Sequence, residues 1–413
     1  MKICVLGLGY IGLPTALLFA QKYDVVGVDI NKEVVEKVNK GKSPFDEPGL
    51  DDLFEKAKNN FVAMTEVEEG DVFLIAVPTP LERAVKVADL KYVRLAAEMV
   101  YPYLNRGNLV ILESTVPPGT SERLVIPILE RSKLKAGEFY FVYCPERAIP
   151  GNTVYEMIHN DRIIGGFDKR SGELAKDLYS SFVKGNLYLT DIRTAEFVKL
   201  MENTYRDISI ALANEFAQIA EESRINVWEA IELANKHPRV NILKPGPGVG
   251  GHCIAIDPWF LTENSTKCKM ISLAREINDS MPNYVLQTVR KLLEDVRDPI
   301  ITVFGVAYKG DVDDTRETPA LKFIKLAENE GYRVKIYDPH VKNFEYEILD
   351  YKEAVEGSDC IVLITDHSVF KEIDPEKVSK LMRRRNVVDS RNILDRERWE
   401  RAGFKMRVLG NGR

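Results

Sequence analysis

The chain has 413 residues, of which 45% are hydrophobic and 29% are charged. This length exceeds what one hydrophobic core usually supports, and the mixed composition excludes disordered and fibrous proteins. The net charge of −6 argues against a nucleic-acid partner, because phosphate backbones are usually bound by a surplus of Lys and Arg. The five cysteines are irregularly spaced and include no C-x-x-C pair, so we expect neither a disulfide framework nor a metal centre.

The first ten residues, MKICVLGLGY, are too short for a secretory signal and contain no small-residue cleavage site. No later segment approaches the roughly 20 apolar residues that a membrane-spanning helix needs. We therefore expect a cytoplasmic protein with no membrane partner.

From the start to about residue 190, short apolar runs alternate with helical segments: KICVLG, PTALLFAQK, DVVGVD, KEVVEKVNKG, VFLIAV, LVILEST and YFVYCPE. This alternation predicts a parallel sheet that is covered by helices on both faces.

Residues 192–235 contain no proline and repeat apolar residues at spacings of three and four, which predicts long helix in more than one piece. Its apolar stripe is wide enough to suggest a dimer interface, with an intramolecular connector as the alternative. The stripe includes Phe197, Leu200, Ile208, Leu212, Phe216 and Ile219.

A further helix is predicted from LAREINDSMPNYVLQTVRKLLEDV, after which the opening strand and helix pattern returns. The predicted fold class is α/β, with two Rossmann-like, doubly wound parallel-sheet domains joined by a long central helix. We divide the chain into domains at residues 1–190, 191–295 and 296–413, with the glycine-rich stretch in the second.

The sequence GLGYIG at residues 7–12 matches G-x-G-x-x-G between a strand and a helix. Gly7 permits a tight turn, Gly9 lets a pyrophosphate approach the backbone, and Gly12 lets the helix pack on the strand. Asp29 ends the next strand, where a carboxylate would bind the ribose 2′-OH and repel a 2′-phosphate, so NAD is favoured over NADP. The alternative is a structural glycine turn. The predicted cofactor contacts here are Gly9, Tyr10, Ile11, Gly12 and Asp29.

Two later strands end in VPTP and ESTVPPGT. Ligands of open α/β sheets lie outside the carboxyl ends of the strands, so Thr79, Glu113 and Thr115 are expected to border the nicotinamide. Each threonine alone could equally be a turn residue.

The stretch GPGVGGHCIAID at residues 246–257 places Cys253 after two glycines and four positions before Asp257. An isolated cysteine is usually a buried filler. Glycines can instead hold a side chain out into a cleft, where a thiolate beside an NAD site could carry an alcohol through a thioester to a carboxylate.

The segments GLGYIGLP, STVPPG, CPER, KLMEN and GGHCIAID occur in this order, and with them nearly the whole chain resembles the UDP-glucose and UDP-N-acetylmannosamine 6-dehydrogenase family. The resemblance implies an NAD domain, a central dimerising helix and a carboxy-terminal domain that completes the UDP-sugar site. It implies oxidation of the sugar C6 hydroxyl to a carboxylate with two NAD and one water, without a metal.

The resemblance also implies roles for individual residues. Cys253 matches the nucleophile, Lys199 and Asn203 match the pair beside the reacting oxygen, and Asp257 matches an acid that assists proton transfer. Glu146 and Thr115 match residues that handle the hydrolytic water and the thioester step. The implied substrate contacts are Glu146, Arg147, Lys199, Asn203, Arg239, Lys244, Gly250, Lys309 and Arg391, while Arg316 matches a contact to NAD.

The loop CPERAIPG differs from the N-P-E-F-L-x-E pattern of UDP-glucose enzymes, because Pro150 replaces the second acid and Arg147 follows Glu146. We take this as favouring UDP-N-acetyl-D-mannosamine, ahead of UDP-N-acetylglucosamine and then UDP-glucose. His252 is either a local hydrogen-bonding residue or a group that tunes the Cys253 thiolate. Two rival readings are a two-electron hydroxyacid dehydrogenase and a non-catalytic nucleotide-sugar sensor.

Overall fold

The computed structural model describes all residues from 1 to 413 and divides into two compact units. The first unit comprises residues 1–202 and 259–265, and the second comprises residues 203–258 and 266–413. The sequence predicts a separate domain at residues 191–295. The structure instead divides this segment between the two units.

An eight-stranded sheet forms the first unit, in the order β10-β9-β8-β7-β4-β1-β2-β3. All neighbouring strands are parallel except β8 and β9, which run antiparallel, so the predicted all-parallel arrangement is wrong at this pair. A short hairpin, β5–β6, lies outside the sheet. The strands are β1 (Lys2–Leu6), β2 (Asp24–Val28), β3 (Phe61–Met64), β4 (Val72–Ile75), β5 (Leu81–Glu82), β6 (Val87–Ala88), β7 (Leu109–Leu112), β8 (Tyr140–Tyr143), β9 (Arg162–Gly166) and β10 (Leu187–Asp191).

Helices cover both faces of this sheet, as the alternating sequence predicts. Ile3 and Val5 of β1 pack into one apolar cluster, while Cys4 and Leu6 pack into another on the opposite face, which is the pattern of a doubly covered parallel sheet. The helices are α1 (Gly12–Phe19), α2 (Lys32–Asn39), α3 (Leu50–Ala57), α4 (Lys91–Val100), α5 (Ile126–Leu129), α6 (Thr153–His159) and α7 (Lys169–Tyr179).

The helix α8 runs without a break from Ile192 to Glu222 and is followed by α9 (Val227–Ala234). Its first turns belong to the first unit, where Ile192 and Ala195 enter the core. Its last turns belong to the second unit, where Ala217 and Ala220 pack against α9. The predicted long helix in more than one piece is confirmed.

The second unit contains a five-stranded, all-parallel sheet in the order β12-β11-β13-β14-β15. The predicted class of two Rossmann-like domains is therefore confirmed. Its strands are β11 (Ile300–Phe304), β12 (Arg333–Tyr337), β13 (Cys360–Leu363), β14 (Asn386–Asp389) and β15 (Lys405–Val408). The remaining helices are α10 (Asp257–Thr262), α11 (Lys269–Leu292), α12 (Pro319–Asn329), α13 (Tyr351–Val355), α14 (Pro375–Leu381) and α15 (Arg396–Arg401).

Residues 259–265 return to the first unit after the chain has already entered the second. The Lys86 ammonium lies 3.9 Å from the ring centre of Trp259, and the Ala88 backbone amide donates to Glu263 over 2.9 Å. These contacts hold the β5–β6 hairpin. None of the helices combines the length and the apolar character needed to cross a membrane.

Candidate active site

The turn between β1 and α1 has the geometry that a dinucleotide site requires. Gly7 has a φ of +93°, and a Cβ there would lie 2.6 Å from the carbonyl oxygen of Ala76. A Cβ on Gly12 would lie 1.8 Å from the carbonyl oxygen of Gly7, whereas a Cβ on Gly9 would meet nothing within 4 Å. Gly7 and Gly12 thus allow close packing, and Gly9 leaves the open space that a pyrophosphate could fill.

Further groups around this turn fit a bound dinucleotide. The Asp29 carboxylate, at the end of β2, accepts hydrogen bonds from the backbone amides of Leu8 (3.0 Å) and Asn31 (2.9 Å), which fix its direction. The buried hydroxyl of Thr79 has no hydrogen-bond partner within the protein, as expected of a group that a ligand completes. Tyr10 is half-buried, and its ring stacks on Phe45 with 4.1 Å between ring centres.

Thr115 is half-buried in the loop after β7, and this loop is fixed from α8. The carboxylate of Glu196 accepts hydrogen bonds from the backbone amides of Gly119 and Ser121, the latter over 2.9 Å. Glu196 was not singled out by the sequence, because an acid within a helix gives no sign that it binds amides 75 residues earlier. It links the helix that carries Lys199 to the loop that carries Thr115.

Glu113 lies directly after β7. Its side chain is fully buried and contacts Thr15, Arg162 and Tyr179. Arg162 and Tyr179 hold this carboxylate in the interior, and its place beside the nicotinamide stays a prediction.

The CPERAIPG loop follows β8. Glu146 is buried, whereas Arg147 pairs with Glu202 over 2.6 Å and also donates to the carbonyl oxygen of Asp161. The predicted contact between Arg147 and a substrate would compete with these partners. The carboxylate of Glu47 holds the end of the loop by accepting from the amides of Gly151 and Thr153.

In the second unit, Gly250 and Gly251 pack directly on Tyr308. A Cβ on Gly250 would lie 2.7 Å from the Cβ of Tyr308, and a Cβ on Gly251, whose φ is +84°, would lie 3.0 Å from the ring. The Gly251 amide also donates to the carbonyl oxygen of Arg316 over 2.9 Å. Only glycines fit this path, and the chain that follows presents Cys253 as an exposed side chain.

The exposure of Cys253 separates it from the cysteines that lie in or beside strands. Cys4, Cys144 and Cys360 are buried. Burial raises the pKa of the Cys144 thiol to about 12 and raises the pKa values of the other two thiols. These thiols are inert at neutral pH, because the thiolate is the reactive form.

Asp257 begins α10 immediately after this turn. Its backbone amide donates to the carbonyl oxygen of Cys253 over 2.9 Å, and its buried carboxylate accepts a hydrogen bond from the Asn203 amide over 2.6 Å. The structure therefore joins three residues of the predicted catalytic set. Lys199 lies one turn before Asn203 on α8, in the first unit, and is 7% exposed.

His252 precedes Cys253 without adding positive charge. Burial, followed by the nearby Arg316 guanidinium, lowers the pKa of His252 below its ordinary value, so the imidazole is neutral at pH 7. A neutral imidazole would have little electrostatic effect on the Cys253 thiolate.

A buried polar chain supports the glycine-rich stretch from α8 and α11. Arg275 and Asp207 form an ion pair of 2.6 Å, and Asn278 donates to Asp207 over 2.8 Å. Asn278 accepts from Asn214 over 2.9 Å, and Asn214 accepts from the Gly246 amide over 2.8 Å. The sequence did not reveal this chain, because its members are scattered over 72 positions and look like ordinary helix residues.

The second unit also contains a cavity of about 1160 Å³. Lys244 and Arg391 line it, and the Arg391 guanidinium lies where a side chain on Gly246 would collide at 2.8 Å. Lys309 and Arg239 are exposed, and Arg316 pairs with Asp314 over 2.6 Å. Two predicted substrate contacts are thus brought together at a cavity of a size suited to a small molecule.

One group of side chains, Asp311, His340 and His367, is close enough to suggest a metal ion. The Nδ1 atom of His367 already accepts the backbone amide of Asp311 over 2.9 Å, and its Nε2 atom faces Asp338 at 3.0 Å. Both ring nitrogens are engaged, so this histidine fits a structural role and we assign no metal here.

Family models match three consecutive segments of the chain. Residues 1–183, 193–280 and 302–396 match, respectively, the NAD-binding, central and UDP-binding domains of the UDP-glucose/GDP-mannose dehydrogenase family.

Named relatives match over the whole chain. The chain is 50% identical over 421 residues to the UDP-N-acetyl-D-mannosamine dehydrogenase of Methanocaldococcus jannaschii, covering all of this chain and 97% of the relative. The structure of UDP-D-ManNAc dehydrogenase from Pyrococcus horikoshii matches with 45% identity and a TM-score of 0.94, covering both chains fully. A UDP-glucose dehydrogenase from Pyrobaculum islandicum matches with 26% identity and a TM-score of 0.85, covering 99% and 97%.

The NAD-binding match contains the dinucleotide turn, the central match contains the exposed Cys253, and the cavity is lined by residues of the central and UDP-binding matches. The chain therefore belongs to the UDP-glucose/GDP-mannose dehydrogenase family and is an NAD-dependent nucleotide-sugar dehydrogenase.

Proposed function

We propose that this enzyme oxidises the C6 hydroxyl of UDP-N-acetyl-D-mannosamine to the carboxylate. The relatives at 45–50% identity that bear this substrate in their names support it, as does the CPERAIPG loop, where Pro150 replaces a second acid. UDP-N-acetylglucosamine and UDP-glucose are the alternative substrates. The observation that carries the chemistry is the exposed Cys253, held by its backbone to Asp257.

The reaction proceeds through Cys253 in two oxidations. NAD, when bound, accepts the hydride in each of them. The first removes two hydrogens from the C6 alcohol and leaves an aldehyde, to which the Cys253 thiolate adds to form a thiohemiacetal. The second converts this to a thioester. Water then attacks the carbonyl carbon, the carbon–sulfur bond breaks, and the thiolate returns as the carboxylate forms.

The other residues of the predicted catalytic set have separate roles in this reaction. The Lys199 ammonium stabilises the negative charge that develops on the C6 oxygen. Asn203 orients Asp257 by donating a hydrogen bond to its carboxylate. Asp257 passes protons through water, and Thr115 and Glu146 serve the hydrolytic step.

The diphosphate of the substrate binds to the basic residues of the second unit. Lys244 and Arg391 line the cavity, and Lys309 and Arg239 add positive charge, Arg239 from a partner subunit. Guanidinium groups suit this task because they form paired hydrogen bonds to phosphate oxygens. Gly250 lets the chain approach the sugar, and Arg316 contacts NAD.

We also propose a cytoplasmic homodimer that forms through α8. Four residues of the predicted stripe are exposed in the single chain, which is unusual for large apolar side chains on one helix. They are Phe197, Leu212, Phe216 and Ile219. Leu200, by contrast, is fully buried and belongs to the core.

The proposed reaction predicts two NADH for each sugar consumed. The measurement follows NADH absorbance with limiting UDP-N-acetylmannosamine, and UDP-N-acetylglucosamine, UDP-glucose and UDP-galactose serve as matched substrates. One NADH per sugar would contradict the cysteine mechanism, and a higher kcat/KM for UDP-glucose would contradict the assignment of the sugar.

A further inference from the structure

Behind the CPERAIPG loop of the first unit lies a buried ion cluster. Arg162, the first residue of β9, donates from Nη2 to Glu146 over 2.5 Å and from Nη1 to Glu113 over 3.3 Å. Its side chain is only 4% exposed. The rings of Tyr179 and Phe182 lie 4.6 and 5.6 Å from the guanidinium carbon and cover it. The guanidinium is therefore held in one place by its surroundings.

The contacts of Glu146 use most of its hydrogen-bonding capacity. Its Oε1 atom accepts from the backbone amides of Arg147 (2.6 Å) and Ala148 (2.8 Å), and its Oε2 atom accepts from Arg162. A carboxylate offers about four acceptor positions, two on each oxygen. One position therefore remains, on Oε2, and Arg162 decides in which direction it points.

The second carboxyl group beside Arg162 is that of Glu113, which is buried. Glu113 also accepts from the Tyr179 hydroxyl over 2.5 Å and contacts the Thr15 hydroxyl at 3.3 Å. Burial, opposed by Arg162 and assisted by Glu146, raises the pKa of Glu113 to about 7. The Glu113 carboxyl is therefore largely protonated below about pH 7. Cys144 and Tyr179, the other titratable groups here, have pKa values raised by burial, so both are neutral.

We propose that Arg162 is a positioning residue that fixes the Glu146 carboxylate, and with it the remaining acceptor position on Oε2, for the hydrolytic step. This inference rests on the proposed function, because it needs a thioester on Cys253. In the hydrolytic step Glu146 takes a proton from water, the water oxygen bonds to the carbonyl carbon, and the carbon–sulfur bond breaks to release the Cys253 thiolate.

Arg162→Lys tests the role in hydrolysis. Lysine keeps the positive charge but loses the rigid fork, so Glu146 keeps a partner without a fixed direction. We expect hydrolysis to slow by about 10- to 100-fold, as for a misplaced catalytic group. Rapid mixing should then show a burst of two NADH per active site followed by a slow phase, and intact-protein mass spectrometry should find the uronyl group bound to Cys253.

Arg131→Lys is the matched control. Arg131, like Arg162, pairs with a glutamate (Glu98, at 3.1 Å), but its side chain is half-exposed and lies outside the proposed site. The control variant should show wild-type kinetics and no adduct. A uniform slowing of both phases in Arg162→Lys, without an adduct, would overturn the inference and leave Arg162 with a structural role. If Cys253→Ser still completed both oxidations, the proposed function itself would fail, and the inference with it.

Glu113→Gln tests whether the pKa of the Glu113 carboxyl is raised in the folded protein. A carboxyl whose pKa is raised in the folded state contributes stability that is present below its unfolded value near 4.3 and is lost as the pH rises through about 7. Glutamine has the same shape and does not titrate. We therefore expect the midpoint of thermal unfolding of the variant to rise relative to wild type between pH 5 and pH 8. Parallel pH profiles for the two proteins would show that Glu113 is not neutral in the folded protein.

Discussion

Cys253→Ser is expected to abolish formation of the sugar carboxylate, with kcat lower by on the order of 10⁶-fold, as when other enzymes lose a covalent nucleophile. A serine hydroxyl is a far weaker nucleophile than a thiolate at neutral pH, so the aldehyde is no longer captured and no thioester forms. NAD affinity should remain unchanged, because the dinucleotide turn at residues 7–12 is built from other elements.

The measurement combines NADH formation with product analysis by mass spectrometry and a separate titration of NAD. Cys268→Ser is the control, because Cys268 is half-buried in a polar segment and has no place in the proposed chemistry. Undiminished formation of two NADH per sugar by Cys253→Ser would exclude this residue as the nucleophile.

Gly12→Ala is expected to destabilise the first unit strongly. The new Cβ would lie 1.8 Å from the carbonyl oxygen of Gly7, and Gly7 itself is pressed against Ala76. Backbone has to move, so the cost exceeds the ~1–3 kcal/mol of ordinary overpacking. A loss of about 3 kcal/mol would lower the melting temperature of a unit of this size by roughly 6–12 °C.

Gly9→Ala is the matched variant on the same turn. Its Cβ meets nothing within 4 Å, so thermal unfolding should be nearly unchanged. The methyl group would instead occupy the space left for the pyrophosphate, and NAD affinity should fall at least tenfold in a fluorescence titration. Equal NAD affinities for Gly9→Ala and wild type would place the cofactor elsewhere.

Local patterns predicted those features that depend on residues close in sequence. The turn at residues 7–12 needs glycines at fixed offsets, and the strand and helix alternation shows in the spacing of apolar residues, so the sequence predicts both. The antiparallel direction of β9 could not be predicted, because the same residues can pair in a parallel or an antiparallel strand. The burial of the Glu113 side chain was not predictable for a related reason, because its ion-pair partner Arg162 is 49 positions away.

The residues of the candidate site were also predictable only where neighbouring positions in the sequence pointed to them. Cys253 could be singled out because the glycines that expose it are adjacent. Glu196 and Asn278 could not, because each acts on backbone or side chains 64 to 77 positions away and has the composition of an ordinary helix residue. Supporting residues of this kind are recognisable only once the chain has been folded.

The return of residues 259–265 to the first unit has a consequence for how the protein is made. A ribosome adds about 5–20 residues per second, and amino-terminal domains commonly fold while synthesis continues. Here the hairpin at residues 81–88 waits for Trp259 and Glu263, so roughly 60 residues of the second unit must emerge after Glu202 before the first is complete. For some 3–12 seconds the nascent chain carries an unfinished unit, and this interval is when chaperones would have most to bind.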